Sequence, residues 1–396
     1  MATEQAQTSL EVEQQSLQLH AGVRLRPPTD EDGLWQLHHL TAHTQHTVSS
    51  SVAWLCLAFC GSASVSHVMD EAAAIGVSAQ ATLDAIARLR DMQALVPESE
   101  GLLVDTTDGT HHWAASLMAR WSSVGWSAAV DYHIATFDYP AVSYSEGALA
   151  DAEMMRGYLA TERDDNRTKK YPRPHASYPC GPARAALDRL DRPFNEVWEE
   201  CCGRPRALTA HRVERADIEA LCASVFGWLR GRTMSPSDRR KPLAHKISPS
   251  GGGRHPTECY VISLEVNELE RGIYHFSAET DSLDLIGRVP SDEETEVIFD
   301  GLFRARHERS FEPKVLLILT SVFERNMFRY REPRTFRTVF MDAGCAITNL
   351  ELIARSMGYS MYTHNAMADT RTEQLLGTHG LTEGLNYGAA IGLYEQ

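Results

Sequence analysis

Lys246-Ile247-Ser248-Pro249-Ser250-Gly251-Gly252-Gly253-Arg254-His255-Pro256-Thr257-Glu258-Cys259-Tyr260 is the stretch on which the fold turns. Three consecutive glycines separate a serine hydroxyl from an arginine and a histidine. The residues that follow, Cys259 to Leu264, have the alternation of a β-strand. A hydroxyl, bare backbone and a cation therefore arrive together at the mouth of a sheet. Glycine permits positive φ and lets a flat or anionic ligand touch the main chain. The N–H groups of such a turn suit a phosphate or a ring carbonyl. The same glycines are also compatible with an exposed surface loop.

Outward from this turn, the chain is long. Its 396 residues exceed one ordinary core, so two or three domains are expected. The hydrophobic fraction of 43% is that of a globular protein. A net charge of −15 argues against a nucleic-acid or anionic-membrane surface as the main partner. No apolar run reaches the length of a membrane span. Met1 to Gln18 is polar and acidic without a signal-peptide pattern, and reads as a short disordered tail of a cytoplasmic protein. The eight cysteines form no C-x-x-C pair, which leaves zinc ribbons and thioredoxin-like chemistry unsupported. Cys56 and Cys60 lie in an apolar run and read as small hydrophobes. The adjacent Cys201 and Cys202 stand out among the rest.

Ser51 to Glu100 has helical periodicity. Trp54 to Cys60 is one segment. Val65 to Ile75 is a second, capped by Ser64 or Ser66 and stopped by Gly76. Ser78 caps a third that carries Leu83, Ile86 and Leu89, and Ala94 to Val96 follows as a short strand. Helix, turn, helix, strand is the order of a winged helix. A DNA-reading helix should be basic. Here Arg88 and Arg90 face Asp70, Glu71, Asp84, Asp91, Glu98 and Glu100, which disfavours DNA. A packing or dimerisation role and a peptide grip by strand addition both remain open. Residues 110–160 are aromatic-rich and read as a helical connector. Charge and proline dominate 160–182, as in a linker or an exposed lid.

The string from Pro249 to Tyr260, P-S-G-G-G-x-x-P-x-E-x-Y, resembles the P-S-x-G-x-x-x-P-x-E-x-Y signature of SagB-type dehydrogenases. These are flavoproteins of the nitroreductase superfamily that oxidise azoline rings in ribosomal peptides. The piece from Trp121 to His133 is similar to a region that precedes the flavin domain in that family. Phe323 to Gly344 is similar to a family pattern close to W-K-Y-G-x-R-x-Y-R, a strand and D-A-G-H. Tyr330 matches the tyrosine, Arg334 and Arg337 the two arginines, and Asp342-Ala343-Gly344 the D-A-G. Arg329 stands where the family has lysine, and Cys345 where it has histidine.

The resemblance implies an α+β fold: a nitroreductase-like three-layer α-β-α sandwich with a mostly antiparallel central sheet, preceded by a small winged-helix-like domain. The implied segments are 1–45 (tail and lead-in), 46–105 (winged-helix-like), 106–185 (connector and linker) and 186–396 (flavin domain). The implied cofactor is FMN, with Ser250, Gly251 and Gly252 along the ring and Arg204 and Arg206 on the phosphate. Bidentate pairing suits Arg to phosphate. Arg334 and Arg337 join the cofactor set. Tyr330 and Arg329 face the substrate as the catalytic pair. A guanidinium is a poor base, so Arg329 orients or stabilises charge and Tyr330 handles the proton. The implied partners are a precursor peptide, a second copy in a homodimer and a cyclodehydratase or other modification enzyme. The alternatives are an NAD(P)H-dependent nitroreductase-like enzyme, a dehydroalanine reductase, and a non-catalytic peptide-binding partner.

Overall fold

The computed structural model describes residues 15–29, 31–98, 108–139, 149–161, 168–181, 185, 190–202, 212–229 and 245–394. The chain forms two compact units, Met1–Val142 and Ser143–Gln396.

In the first unit, β1 (Ser16–Leu19), β5 (Ala63–Ser64) and β6 (Leu95–Pro97) form a three-stranded sheet in the order β5-β1-β6. β2 (Val23–Arg26), β3 (Trp35–His39) and β4 (Thr44–Val48) form a second antiparallel sheet. The helices are α1 (Ser50–Ala58), α2 (Val65–Ala74), α3 (Ala79–Asp91), α4 (Asp108–Ser122) and α5 (Ser127–Thr136). The start of α2 is capped by the Ser64 hydroxyl, which accepts from the N–H of His67 at 3.3 Å. Ser78 does the same for Ala81 in α3. Three strands and the start of a fourth occupy residues expected to be tail and lead-in. These strands have four or five residues each, and histidines and glutamines hide their alternation. Leu17 and Leu37 are nevertheless completely buried and join Val65, Val68, Ile86 and Leu89 in one core.

The second unit is built on a seven-stranded sheet in the order β12-β13-β11-β8-β9-β10-β7. Its strands are β7 (Ala176–Pro179), β8 (Thr257–Ser263), β9 (Gly272–Ser277), β10 (Ser282–Gly287), β11 (Phe311–Val322), β12 (Ser360–His364) and β13 (Glu383–Tyr394). Every pairing is antiparallel. The apolar run of β11 sits between two cores because successive side chains point to opposite faces. Val315, Leu317 and Leu319 meet Val261, Ile218 and Leu350 on one face. Leu316 and Ile318 meet Tyr260, Phe299 and Leu302 on the other. Truncating such a residue to alanine costs about 2–5 kcal/mol.

Helices cover both faces. On the first lie α8 (Arg215–Phe226) and the long α13 (Thr335–Ser356). On the second lie α9 (Asp292–Ile298), α10 (Asp300–Phe303), α11 (Ala305–Glu308) and α14 (Asp369–Leu376). The unit also contains α6 (Leu149–Ala160), α7 (Phe194–Cys202) and α12 (Phe323–Arg329). This is the expected α+β three-layer sandwich.

Two local readings are corrected. Helix α13 starts at Thr335, so Asp342-Ala343-Gly344 lies inside a helix and does not follow a strand as in the matched pattern. Its buried positions Thr335, Val339, Asp342, Ala346, Leu350 and Ile353 have helical spacing. The exposed Phe336, Phe340 and Met341 interrupt that pattern in the sequence. The expected linker or lid at 160–182 contains β7, which pairs with β10 from Ala176 to Pro179. Upstream, Lys169 contacts Glu383 and the Tyr260 hydroxyl at 2.6 and 2.5 Å, and the Tyr171 hydroxyl donates to the carbonyl of Leu376. All of these partners are distant in sequence, so local composition gives no sign of them.

Candidate functional site

The glycine turn is a single 3-10 turn, Gly251–Gly253, entered from an extended Ser250. Gly252 and Gly253 have φ of 62° and 63°, the region that favours glycine. The Ser250 hydroxyl donates to Asp342 at 2.6 Å and accepts from the N–H of His255 at 2.7 Å. The N–H of Gly251 also reaches the Asp342 carboxylate, at 3.2 Å. Burial raises the pKa of Asp342, and the bonds from Ser250 and Gly251 oppose that rise. A Cβ on Gly251 would stand 2.3 Å from Thr338 Cγ2, and one on Gly252 would stand 2.5 Å from Tyr330 Oη. The turn is therefore clamped against α13 on one side and the end of α12 on the other.

Beneath the turn is a buried ionic cluster. Glu258, at the start of β8, meets Arg325 Nη1 at 2.5 Å and His275 Nε2 at 2.7 Å. Burial opposes ionisation of Glu258, but Arg325, His275 and Lys246 outweigh it and hold the carboxyl well below the usual range. Burial pulls the ammonium of Lys246 down to about 8, against the pull of Glu258. Arg325 also donates to the His255 carbonyl at 2.9 Å, and Arg254 Nε donates to the Arg325 carbonyl at 2.6 Å. Arg254 lies over the Phe328 ring, 5.0 Å from its centroid. Main-chain and charged contacts thus tie the turn to α12, which carries the Asn326 and Arg329 side chains.

Beside this assembly is a cavity of about 1100 Å³. Phe323, Met327, Phe328, Phe336 and Leu381 supply apolar walls, and Asn326, Tyr330 and Arg331 add polar groups. The volume is slightly above the usual range for small-molecule sites, and the mixture of walls is typical of them. Asn326 is completely buried, and neither its Oδ1 nor its Nδ2 has a hydrogen-bond partner among the described residues. Its Nδ2 lies 3.9 Å from where a Gly251 Cβ would stand. Arg329 Nε is likewise buried without a partner, and its guanidinium lies 5.2 Å from the Tyr330 ring centroid. Burying such groups without partners is costly, so they mark a place where a ligand could complete the bonding.

The structure brings together Ser250, Gly251, Gly252, Arg329 and Tyr330. Tyr330 lines the large cavity, whereas Ser250 borders a smaller one formed with Lys246, Thr257 and Asp342. The glycines pack on Thr338 and Tyr330. Arg334 is exposed at the N-terminus of α13 and Arg337 is half-buried one turn on. Arg204 and Arg206 lie outside the described residues. Sequence reasoning assigned no role to Asn326 or Thr338, nor to Asp342 as the acceptor that holds the turn. An asparagine four residues after a strand carries no motif; only its burial without partners singles it out.

This sandwich, with a cavity beside a glycine turn, defines a class. Residues 205–393 match the Nitroreductase family. Over that stretch, a little under half of its length, the chain is similar to nitroreductase-family proteins. It is 27% identical over 257 residues to the trifolitoxin-processing protein TfxB of Rhizobium leguminosarum bv. trifolii, covering 62% of this chain and 65% of the relative. It is 25% identical over 162 residues to the microcin B17-processing protein McbC of Escherichia coli, covering 39% of this chain and 54% of the relative. The chain thus spans less than two thirds of the length of either protein. Among solved structures, the E. coli microcin synthetase McbBCD complex with truncated pro-MccB17 matches with a TM-score of 0.39 and 17% identity, covering 74% of this chain and 99% of that one.

Proposed function

We propose that this chain is an FMN-dependent oxidoreductase that matures a ribosomally synthesised peptide by oxidising azoline rings to azoles. The observation that carries this reading is the clamped glycine turn next to two orphaned polar groups, Asn326 and Arg329 Nε, and a large cavity. The processing roles in the names of TfxB and McbC support a peptide substrate.

These residues fit a flavin. Its ring is flat, apolar at one end and edged with amide-like groups at the other, and the cavity has walls of both kinds. FMN supplies the hydride chemistry when bound, and the protein supplies position and electrostatics. Arg204 and Arg206 would hold the phosphate, with Arg334 and Arg337 close in sequence to the catalytic pair. Tyr330 holds or moves a proton at Oη. Arg329 remains charged and orients the substrate. The exposed Phe336, Phe340 and Met341 on α13 suit a second copy of the chain, as in a homodimer. A complex with a cyclodehydratase in the cytoplasm fits the same role. Among the described residues no helix is long and apolar enough to cross a membrane.

A second reading rests on Arg329. A guanidinium in place of lysine cannot accept the substrate's proton, which favours reduction over ring oxidation, with NAD(P)H as donor. The absorbance spectrum of the purified protein tests the core of the proposal. A flavin band at one FMN per chain is expected, and a colourless protein that takes up no FMN would refute it. Bleaching of that band by NADPH alone selects the second reading.

A further inference from the structure

The side chain of Asn326 makes no hydrogen bond to the described residues. It is fully buried, yet both polar atoms of its carboxamide are without partners among the described residues. It lines the large cavity and stands beside Gly251. Its backbone carbonyl has an ordinary structural task, accepting from the N–H of Tyr330 at 2.9 Å. The orphaned part is therefore the side chain alone. A carboxamide presents one acceptor and one pair of donors side by side. The group that satisfies both is a neighbouring N–H and C=O, the edge of an amide or imide.

We propose that Asn326 is a positioning residue that reads the imide edge of the bound flavin. The assignment rests on the flavin reading above. Oxidised isoalloxazine carries a single ring N–H, at N3, between two carbonyls. An orphaned Oδ1 needs a donor, and N3–H is the ring's only one. The Nδ2 group then donates to an adjacent ring carbonyl. A site built to hydrogen-bond such an edge rejects an analogue that lacks it, because its own groups are then left unpaired. Asn326 thus sets which edge of the ring enters first and discriminates against flavins modified at N3.

The test uses the full chain stripped of flavin and titrated with FMN and with N3-methyl-FMN. The parent should bind FMN at least about tenfold more tightly than the methylated analogue. Asn326→Leu should bind FMN about tenfold more weakly than the parent does and should no longer distinguish the two. Its melting temperature without flavin should be no lower than the parent's, because two unpaired buried polar atoms have been removed. A purely structural asparagine would give the opposite result: a lower melting temperature and unchanged discrimination. Asn326→Asp guards against misfolding of the leucine variant. It keeps an acceptor and loses the donor, so it should bind FMN more weakly but still prefer it to the analogue. A parent that binds FMN but does not discriminate, or a leucine variant that binds FMN as tightly as the parent, overturns the assignment alone. A parent that binds no FMN overturns the flavin reading and this assignment with it.

Discussion

The Ser250 hydroxyl donates to Asp342 at 2.6 Å across a sequence separation of 92 residues. The same carboxylate takes the Gly251 N–H, so one side chain on α13 holds the entry of the glycine turn. Hydrogen bonds to a charged, buried acceptor are worth more than neutral ones. We expect Asp342→Ala to lower unfolding free energy by about 2 kcal/mol and Ser250→Ala by about 1 kcal/mol. The double variant should cost less than the sum, because both substitutions break one network. Urea denaturation of the four proteins measures this, and strict additivity would show that the pair does not act as one clamp.

Gly251 faces Thr338 so closely that a methyl group has no room, its Cβ falling 2.3 Å from Cγ2. Gly251→Ala should therefore destabilise the protein by about 1–3 kcal/mol through overpacking. Adding Thr338→Ser removes the methyl group that collides and should recover most of that loss. Melting curves of the single and double variants decide it. Absence of rescue would place the strain in the backbone of the turn.

Tyr330 lines the cavity and its hydroxyl stands beside Gly252. In the proposed reaction, with a guanidinium as its neighbour, the phenol is assigned the proton transfer. Tyr330→Phe should reduce turnover by about 10²-fold, the low end of acid–base contributions, with FMN affinity within about twofold of the parent's. Single-turnover kinetics and flavin titration separate the two effects. Equal rates in mutant and parent would remove Tyr330 from the chemistry.

The first unit should lose stability in mild acid. Burial, then His39 and His111, lower the pKa of His20 to about 3. Its Nδ1 accepts from the N–H of Gly22 at 2.9 Å, and its Nε2 meets Thr110 Oγ1 at 3.3 Å. The folded-state value lies below the unfolded one, so the unfolded chain takes up the proton first. The contribution is complete above pH 6.5 and is lost as pH falls from there toward 3. Between pH 6.5 and pH 5 the loss is about 2 kcal/mol. His20→Asn offers a side-chain oxygen near the place of Nδ1 and does not titrate. Urea midpoints at pH 7 and pH 5 should differ less in that variant than in the parent.

Much of the second unit was legible because its signals are local. The V-L-L-I-L-T run of β11 is apolar on both faces, and only a strand between two layers needs that pattern. The glycine run, the serine before it and the matched pattern around Tyr330 marked one region, and Gly252 and Tyr330 do meet. Strands β1–β4 were not legible because each is short and half-polar. Strand β7 was hidden in proline-rich sequence because its order comes from β10, more than a hundred residues later.

The sequence by itself determined the glycine turn with its following strand and the helices of the first unit, and through its resemblance the layered α+β class and the nearness of Tyr330 to the turn. Alternation and helical spacing are properties of neighbouring residues, and so are serine caps and glycine stops. Only the tertiary structure decided which groups found partners. Asp342 meets Ser250 and Arg325 meets Glu258, while Asn326 is left with an unpaired carboxamide beside a cavity. Hydrogen-bond satisfaction depends on residues that folding brings together from distant parts of the chain, and no local pattern records which of them will be left without a partner.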